Sequence, residues 1–126
     1  MTSKSFTILL IVISLSLGFT ACSDSPEGDP LAAQGKKLYA ANCLSCHPID
    51  PSQPRVGPDL AGLSDKLTAS GLDAAAVLEE SIREPGKEIT EGYQDLMPAA
   101  AVLGLGDEEI SALISYLENL SDEHVD

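Results

Sequence analysis

The clearest hydrophobic pattern of this chain lies near its C-terminus. Within GDEEISALISYLENL the apolar positions follow the spacing i, i+3, i+4 and i+7, which is typical of one face of an α-helix. These positions are Ile110, Leu113, Ile114 and Leu117. Acidic residues precede them, and negative charge stabilises the N-terminal end of a helix. The pattern predicts a helix from about Asp107 to Asn119.

A first helix is predicted from Pro30 to about Cys46. Asp29 before Pro30 is typical of an N-cap followed by proline at the first helical position, and apolar residues then fall on one side at helical spacing. Pro48 ends this pattern. The stretch 48–58 is rich in proline, which is excluded from helix interiors and central strands, so it is predicted to be an extended loop.

A middle helix is predicted from Asp73 to about Glu84, where Pro85-Gly86 ends it. No stretch alternates apolar and polar residues in the way that half-buried strands do. The predicted fold class is therefore all-α, with three main helices and long loops.

The N-terminal segment predicts a signal peptide. Lys4 precedes an apolar run from Phe6 to Phe19, and as a helix this run would span about 21 Å, short of the roughly 30 Å hydrocarbon core of a bilayer. Small residues then lead to Cys22, a pattern that resembles the bacterial lipobox. Residues 1–21 are thus predicted to be a lipoprotein-type signal peptide, with a lipid on Cys22. The alternative is an ordinary cleavage site beside an incidental cysteine.

The remaining organisation follows from composition. Residues 22–29 are polar and acidic and are predicted to form a flexible tether, residues 30–121 one domain, and residues 122–126 an acidic tail. The formal net charge of −13 makes nucleic acid a poor partner and a positively charged protein patch a good one. The predicted location is the outer face of the cytoplasmic membrane or the periplasm, where a cysteine pair would normally form a disulfide.

The metal- and redox-active side chains are concentrated in CLSCH, residues 43–47. A thioredoxin-like pair needs its CxxC between a strand and a helix, and no strand is predicted before Cys43. A zinc site needs four ligands. Cys43, Cys46 and His47 supply three, and the other histidine, His124, lies in the predicted tail. Both kinds of site are therefore disfavoured.

CxxCH is also the signature of covalent haem attachment. Cysteines three apart on a helical turn face the same way, so the thiols of Cys43 and Cys46 can add to the two vinyl groups of one porphyrin. The imidazole of His47 can then bind the iron. A haem would also enlarge the core of a chain that has no tryptophan and whose two phenylalanines both lie in the predicted leader. The sequence predicts one covalent haem c.

The iron needs a second axial ligand. After loss of the predicted leader, Met97 is the remaining methionine, and a thioether is a common partner of histidine in cytochromes. A lone methionine can also fill a core. However, Met97 follows Gly92-Tyr93 and precedes Pro98, which indicates a turn and not an apolar helix face. His124 is the alternative ligand, but it lies in a tail that nothing holds down. Met97 is therefore the predicted ligand.

Taken together, these segments resemble class I cytochromes c from about Leu31 to Leu120. The similar pieces are GKKLYAANCLSCH, VGPDLAGL, ITEGYQDLMP and GDEEISALISYLENL. They are most similar to the cytochrome c domain of some bacterial oxidase subunits II and to small lipoprotein cytochromes. The resemblance implies a cytochrome c fold, with three helices and long loops around one haem, and an electron-transfer protein that is not an enzyme.

The resemblance also assigns roles near the cofactor. It implies that the carbonyl of Pro58 accepts the Nδ1 proton of His47, which would orient the imidazole. It implies that Leu60 packs on the haem face. Arg55 is a candidate partner for a haem propionate, and Tyr93 for a propionate or the methionine region. A plain loop or core role is the alternative for Pro58 and Tyr93.

Other matches to the family are structural. Gly35 and Tyr39 correspond to positions where the N-terminal helix crosses the C-terminal helix at Leu113 and Tyr116, and glycine allows two helices to approach closely. Gly106 stands where the family has a serine cap, which removes a capping oxygen but not the helix.

The predicted function is that of an exported single-electron carrier that is tethered to a membrane and feeds a respiratory complex. The resemblance implies a quinol-oxidising complex as donor and a terminal oxidase or reductase as acceptor. Two alternatives remain open: a haem enzyme or sensor in which Met97 is labile, and a non-catalytic subunit held permanently in an oxidase.

Overall fold

The structure is a computed structural model that describes residues 29–50 and 52–120. Within these residues it contains five helices and no strand. The helices are α1 (Pro30–Asn42), α2 (Leu63–Ala69), α3 (Ala74–Arg83), α4 (Ala100–Leu103) and α5 (Asp107–Glu118). The all-α prediction is confirmed. The predicted signal peptide, Cys22, nearly all of the tether, and the tail with His124 lie outside the described residues.

Helix α1 begins where the sequence predicts, but it ends at Asn42, before the predicted end at Cys46. At its start the carboxylate of Asp29 accepts the backbone N–H of Leu31 at 3.0 Å. The predicted end at Cys46 is wrong, and the reason is local. The N–H groups of Cys43 and Leu44 both donate to the same carbonyl, which breaks the regular i to i−4 pattern of the helix.

Helices α3 and α5 lie within one residue of their predicted bounds. Asp73 caps α3, because its carboxylate accepts the N–H of Ala76 at 3.1 Å. At α5 the residue before the helix is Gly106, which has no side chain to cap with. Its own N–H donates to the Glu109 carboxylate at 3.0 Å, which is one half of a capping box.

Helices α2 and α4 were not predicted. Helix α2 has 7 residues and α4 has 4, so neither shows enough turns for a helical period to stand out in the sequence. Tertiary packing holds α2 in place, because Leu63 and Leu67 pack against the core. The N–H of Gly62 before α2 also donates to the carbonyl of Leu120, which ties this segment to the end of α5.

The core lies mainly between α1 and α5, with α3 on one side. A Cβ on Gly35 would stand 1.9 Å from the backbone carbonyl oxygen of Ala112, so the two helix backbones approach each other directly and only glycine fits. The rings of Tyr39 and Tyr116 pack with centroids 5.3 Å apart and planes tilted by 56°. The predicted crossing of the first and last helices is confirmed, with Tyr39 and Leu113 both buried at it.

None of the helices in the part of the chain that the structure describes has the length and apolarity needed to cross a membrane.

Candidate functional site

Cys43 and Cys46 lie on the turn that follows α1, and both are free, half-buried thiols. The backbone N–H groups of Cys46 and His47 donate to the carbonyl of Cys43 at 3.1 and 2.9 Å, so the turn is tight and hydrogen-bonded. Burial raises the pKa of the Cys43 thiol above its ordinary value, and the nearby Cys46 raises it further. The turn therefore brings two thiols and one imidazole together at the end of α1.

His47 is buried, with 7% of its surface exposed. Its ring atom Nδ1 lies 2.7 Å from the carbonyl oxygen of Pro58, so the predicted contact between these residues is present. Because a carbonyl oxygen can only accept, Nδ1 carries the proton and Nε2 carries the free lone pair. In this tautomer Nε2 is the ring atom that can bind a metal, and the Pro58 carbonyl fixes the direction in which it points.

The backbone at Gly57 lies directly against the imidazole. A Cβ at this position would stand 2.3 Å from Cε1 of His47, well inside contact distance. The carbonyl of Cys46 holds this segment in place by accepting the N–H groups of Val56 at 3.2 Å and Gly57 at 2.9 Å. The loop after CLSCH therefore closes on the ring, and no side chain other than hydrogen is accommodated at Gly57.

Tyr39 is a site residue that the sequence reasoning missed. Its hydroxyl donates a hydrogen bond to the backbone carbonyl of His47, in a buried environment. Burial raises the pKa of the phenol above its ordinary value, so it stays protonated and able to donate. The sequence offers no signal for this role, because the hydroxyl binds a backbone atom and leaves no residue pattern.

Met97 lies in the irregular segment between α3 and α4, with 37% of its surface exposed. That exposure is not what a methionine used as core filler would have. Tyr93, on the same segment, is exposed to the same degree, 37%. Leu60, by contrast, is partly buried and packs against the hydrophobic core.

Arg55 carries a buried polar atom that lacks a partner. Its guanidinium Nη2 lies 3.3 Å from the carboxylate of Asp59, whereas its Nε is buried with no hydrogen-bond partner among the described residues. Buried N–H groups are nearly always paired, so this N–H suits an acceptor that a bound group supplies. A haem propionate is an acceptor of the right charge.

These features fit a covalently attached haem. Two free thiols stand on one turn, an oriented imidazole offers Nε2, a thioether is accessible, and an arginine N–H lacks an acceptor. The strand that a thioredoxin-like site requires does not occur in residues 29–50 and 52–120. The same residues hold no group of three or more histidine, cysteine or acidic side chains placed to bind a metal ion.

Comparison with known proteins covers the same region. Residues 32–121 match the family model described as cytochrome c. The chain is 41% identical over 56 residues to cytochrome c 2.1 of Caenorhabditis elegans, a match of 43% of this chain and 49% of that protein. It is 30% identical over 103 residues to cytochrome c oxidase subunit 2 of Bacillus subtilis (strain 168), covering 74% of this chain and 27% of the subunit. It is 32% identical over 95 residues to cytochrome c-554(547) of Halothiobacillus neapolitanus, covering 71% of this chain and 96% of that protein.

The chain thus spans about half of the first relative and just over a quarter of the oxidase subunit, but nearly all of the third. Members of the matching family bind haem c covalently and are electron-transfer proteins, not enzymes. The spacing of Cys43 and Cys46 is consistent with one haem, as predicted. The family model covers most of the chain, and the chain belongs to the cytochrome c family.

Proposed function

We propose that this chain is an exported, membrane-tethered electron carrier that uses His47 and Met97 as the axial ligands of its haem. The observation that carries this proposal is the state of His47. The imidazole is buried, its Nδ1 is bound to Pro58, and its Nε2 is left free. A histidine prepared in this way on the turn of CLSCH has little other use than to bind the iron of a haem attached at Cys43 and Cys46.

When bound, haem c supplies reversible one-electron exchange at its iron. The protein residues determine what else that iron can do. If His47 and Met97 both held the iron, they would leave it no position for oxygen or peroxide. Methionine ligation also favours the reduced state and raises the reduction potential. The proposed pair of ligands therefore suits a carrier and not an oxygen-binding protein.

The sequence supports the proposed location, and one relative supports the proposed acceptor. A lipid on Cys22 and a flexible segment over residues 22–29 would hold the domain near a membrane while it moves between complexes. The relative that is an oxidase subunit supports a terminal oxidase as acceptor. A quinol-oxidising complex is the proposed donor.

A second candidate is a subunit held permanently in an oxidase. It is favoured by the match to cytochrome c oxidase subunit 2, in which the similar region is part of a longer chain. The two candidates differ in how firmly the protein is held. A free carrier leaves the oxidase in mild detergent and moderate salt, whereas a permanent subunit copurifies with it at one copy per complex.

The axial ligands are tested by replacing Met97 with alanine in the haem-loaded protein. A bond between methionine and ferric iron gives a weak near-red absorption band. Loss of the thioether opens the sixth position, so this band should disappear, and cyanide and carbon monoxide should bind. The spectrum in alkaline pyridine should still report covalent haem, because Cys43 and Cys46 are unchanged. Leu96→Ala, one residue away, is the matched control and should keep the band. Unchanged spectra in Met97→Ala would refute the assignment of Met97.

A further inference from the structure

The segment between α3 and Met97 exposes three apolar side chains. Ile89 is 46% exposed, Tyr93 37% and Leu96 63%. Asp95 returns to the start of this segment, because its carboxylate would stand 3.2 Å from a Cβ on Gly86. Residues 86–96, which we term the 86–96 loop, therefore form a closed loop whose two ends meet.

Leu96 points away from the site if Met97 points into it. Pro98 restricts the preceding residue, Met97, to an extended conformation. Neighbouring side chains in an extended segment point to opposite sides. A Met97 thioether directed at the iron thus leaves Leu96 directed at solvent, one residue from the metal ligand. The high exposure of Leu96 agrees with this orientation.

Carboxylates alternate with these apolar residues along the loop, and the cations Arg83 and Lys87 are already paired. Within the loop, Glu88, Glu91 and Asp95 carry negative charge. The ammonium of Lys87 is bound to the carboxylate of Glu80 on α3, and this ion pair raises the pKa of the lysine. The loop therefore presents apolar surface under a net negative charge.

Arg83, just before the loop, is likewise committed. Its guanidinium binds Glu79 at 2.8 Å and Asp107 on α5 at 2.8 Å. It therefore faces α5 and does not neutralise the loop carboxylates. A second copy of this chain would bring the same negative charges together, which disfavours self-association through this surface.

We propose that the 86–96 loop is the docking surface for the redox partner, and that the partner presents an apolar patch ringed by lysine or arginine. This inference rests on the proposed axial role of Met97. Leu96 provides the apolar contact, and the carboxylates of Glu88, Glu91 and Asp95 steer the basic partner during encounter. The contact then lies one residue from the metal ligand.

The test uses the haem-loaded, reduced protein and two small oxidants in a stopped-flow spectrometer. Tris(phenanthroline)cobalt(III) is cationic with an apolar exterior, as the proposed partner surface is, whereas hexacyanoferrate(III) is anionic. The loop variants are Leu96→Ala and the pair Glu91→Gln with Asp95→Asn. The matched controls are Leu31→Ala and Glu108→Gln, at the N-terminal ends of α1 and α5. Leu31 is the second residue of α1 and lies about 18 Å along the helix axis from Cys43, which follows the helix.

We expect the charge variant to lower the second-order rate constant with the cobalt complex at least about threefold at low ionic strength, because even one unit charge about 7 Å from another in water contributes about RT. The charge variant should lose this effect at high salt and should react as fast or faster with hexacyanoferrate. Leu96→Ala removes an apolar contact and no charge, so it should lower the same rate constant at low and at high ionic strength. The control variants Leu31→Ala and Glu108→Gln should have the same rate constants as the wild-type protein. The reduction potential of every variant is measured, so that a change in driving force is not mistaken for a change in docking.

A second measurement does not depend on electron transfer. Hexaamminechromium(III), a paramagnetic and redox-inert cation, should broaden the amide resonances of residues 88–96 at lower concentration than those near Glu108. Two results would overturn the docking proposal but not the proposed function. One is that the loop variants and the controls change the rate of oxidation by the cobalt complex equally; the other is that resonances outside residues 88–96 broaden at lower chromium concentration. Failure of both oxidants to oxidise the unchanged protein would instead overturn the proposed function. Concentration-dependent dimers in sedimentation that Leu96→Ala abolishes would assign the surface to a second copy and contradict the inference.

Discussion

The Tyr39 hydroxyl on α1 donates a hydrogen bond to the backbone carbonyl of His47, eight residues further along the chain. The Tyr39 ring at the same time packs on Tyr116 of α5. One side chain therefore joins the helix crossing, which supplies most of the core, to the backbone of the residue proposed to bind iron. The imidazole is held from the other side by Pro58. Stability of the core and orientation of His47 are linked through Tyr39.

Replacing Tyr39 with phenylalanine should destabilise the haem-loaded protein by about 1–3 kcal/mol. The ring still packs on Tyr116, but the buried carbonyl of His47 loses its partner, and an unsatisfied buried acceptor has a cost of this size. Denaturant unfolding followed by circular dichroism measures the change. Tyr116→Phe, which keeps the same pair of rings and whose hydroxyl makes no hydrogen bond among the described residues, is the control and should change the unfolding free energy by less than about 0.5 kcal/mol. Equal effects of the two variants would contradict the role given to the hydroxyl.

Replacing Gly35 with alanine should destabilise the fold although alanine is the better helix former. The new methyl group would stand 1.9 Å from the carbonyl oxygen of Ala112, so α1 and α5 would have to separate. We expect a loss of about 1–3 kcal/mol in the free energy of unfolding. Gly86→Ala is the control, because its Cβ meets only the movable Asp95 carboxylate, at 3.2 Å. A Gly35→Ala protein as stable as the unchanged one would show that the helices do not approach this closely.

Replacing Gly57 with alanine should disturb the imidazole itself. A Cβ here would overlap the ring at 2.3 Å from Cε1, so the ring must tilt or the loop must move. We expect a weakened near-red band and an altered reduction potential in the haem-loaded protein, with about 1–3 kcal/mol of lost stability. Val56→Ala, at the exposed neighbouring position, should leave both spectrum and potential unchanged. A normal spectrum in Gly57→Ala would mean that this glycine does not constrain the ligand.

The contact between Asp29 and Ser115 should make stability depend on pH. The Ser115 hydroxyl, at 2.7 Å, lowers the pKa of the Asp29 carboxyl, and the N–H of Leu31 lowers it further. Because the folded pKa lies below the unfolded value of about 3.9, this contact stabilises the fold above about pH 4 and is lost as the pH falls through the folded pKa. Ser115→Ala should therefore lower Tm at pH 7, and the difference from the unchanged protein should shrink below about pH 3.

The matched control is Ser111→Ala on the same helix. The Ser111 hydroxyl donates to the backbone carbonyl of Asp107 at 2.8 Å, an acceptor that does not titrate. Ser111→Ala should therefore change Tm by the same amount at pH 7 and at acidic pH. If Ser115→Ala and Ser111→Ala show the same pH profile, the Asp29 carboxylate is not the group that Ser115 stabilises.

Replacing Cys22 with serine should move most of the protein from the membrane fraction to the soluble fraction of cells. The thiol is the proposed attachment point of the lipid, and two acyl chains hold a protein on a bilayer far more firmly than one. Fractionation followed by haem staining measures the distribution, and mass spectrometry of the unchanged protein reports the lipid directly. A Cys22→Ser protein that remains in the membrane fraction would contradict the anchor.

The sequence by itself determined the features that depend on neighbouring residues. CLSCH places two thiols and an imidazole on one turn by spacing alone. Helix α3 is marked by its Asp73 cap, and α5 by the acidic residues of its first turn and by several turns of apolar period. The class of cofactor and the class of fold follow from such local patterns, because residues a few positions apart on a helix are neighbours in any context.

Only the tertiary structure decided the features that join distant parts of the chain. Helices α2 and α4 are too short to be recognised by period. The donation from Tyr39 to His47 and the closure of Gly57 on the ring arise when loops fold back on α1. The same holds for the buried Nε of Arg55, which has no partner in residues 29–50 and 52–120. A backbone carbonyl or a glycine leaves no side-chain pattern, so its role is set by the three-dimensional approach of segments that the sequence keeps apart.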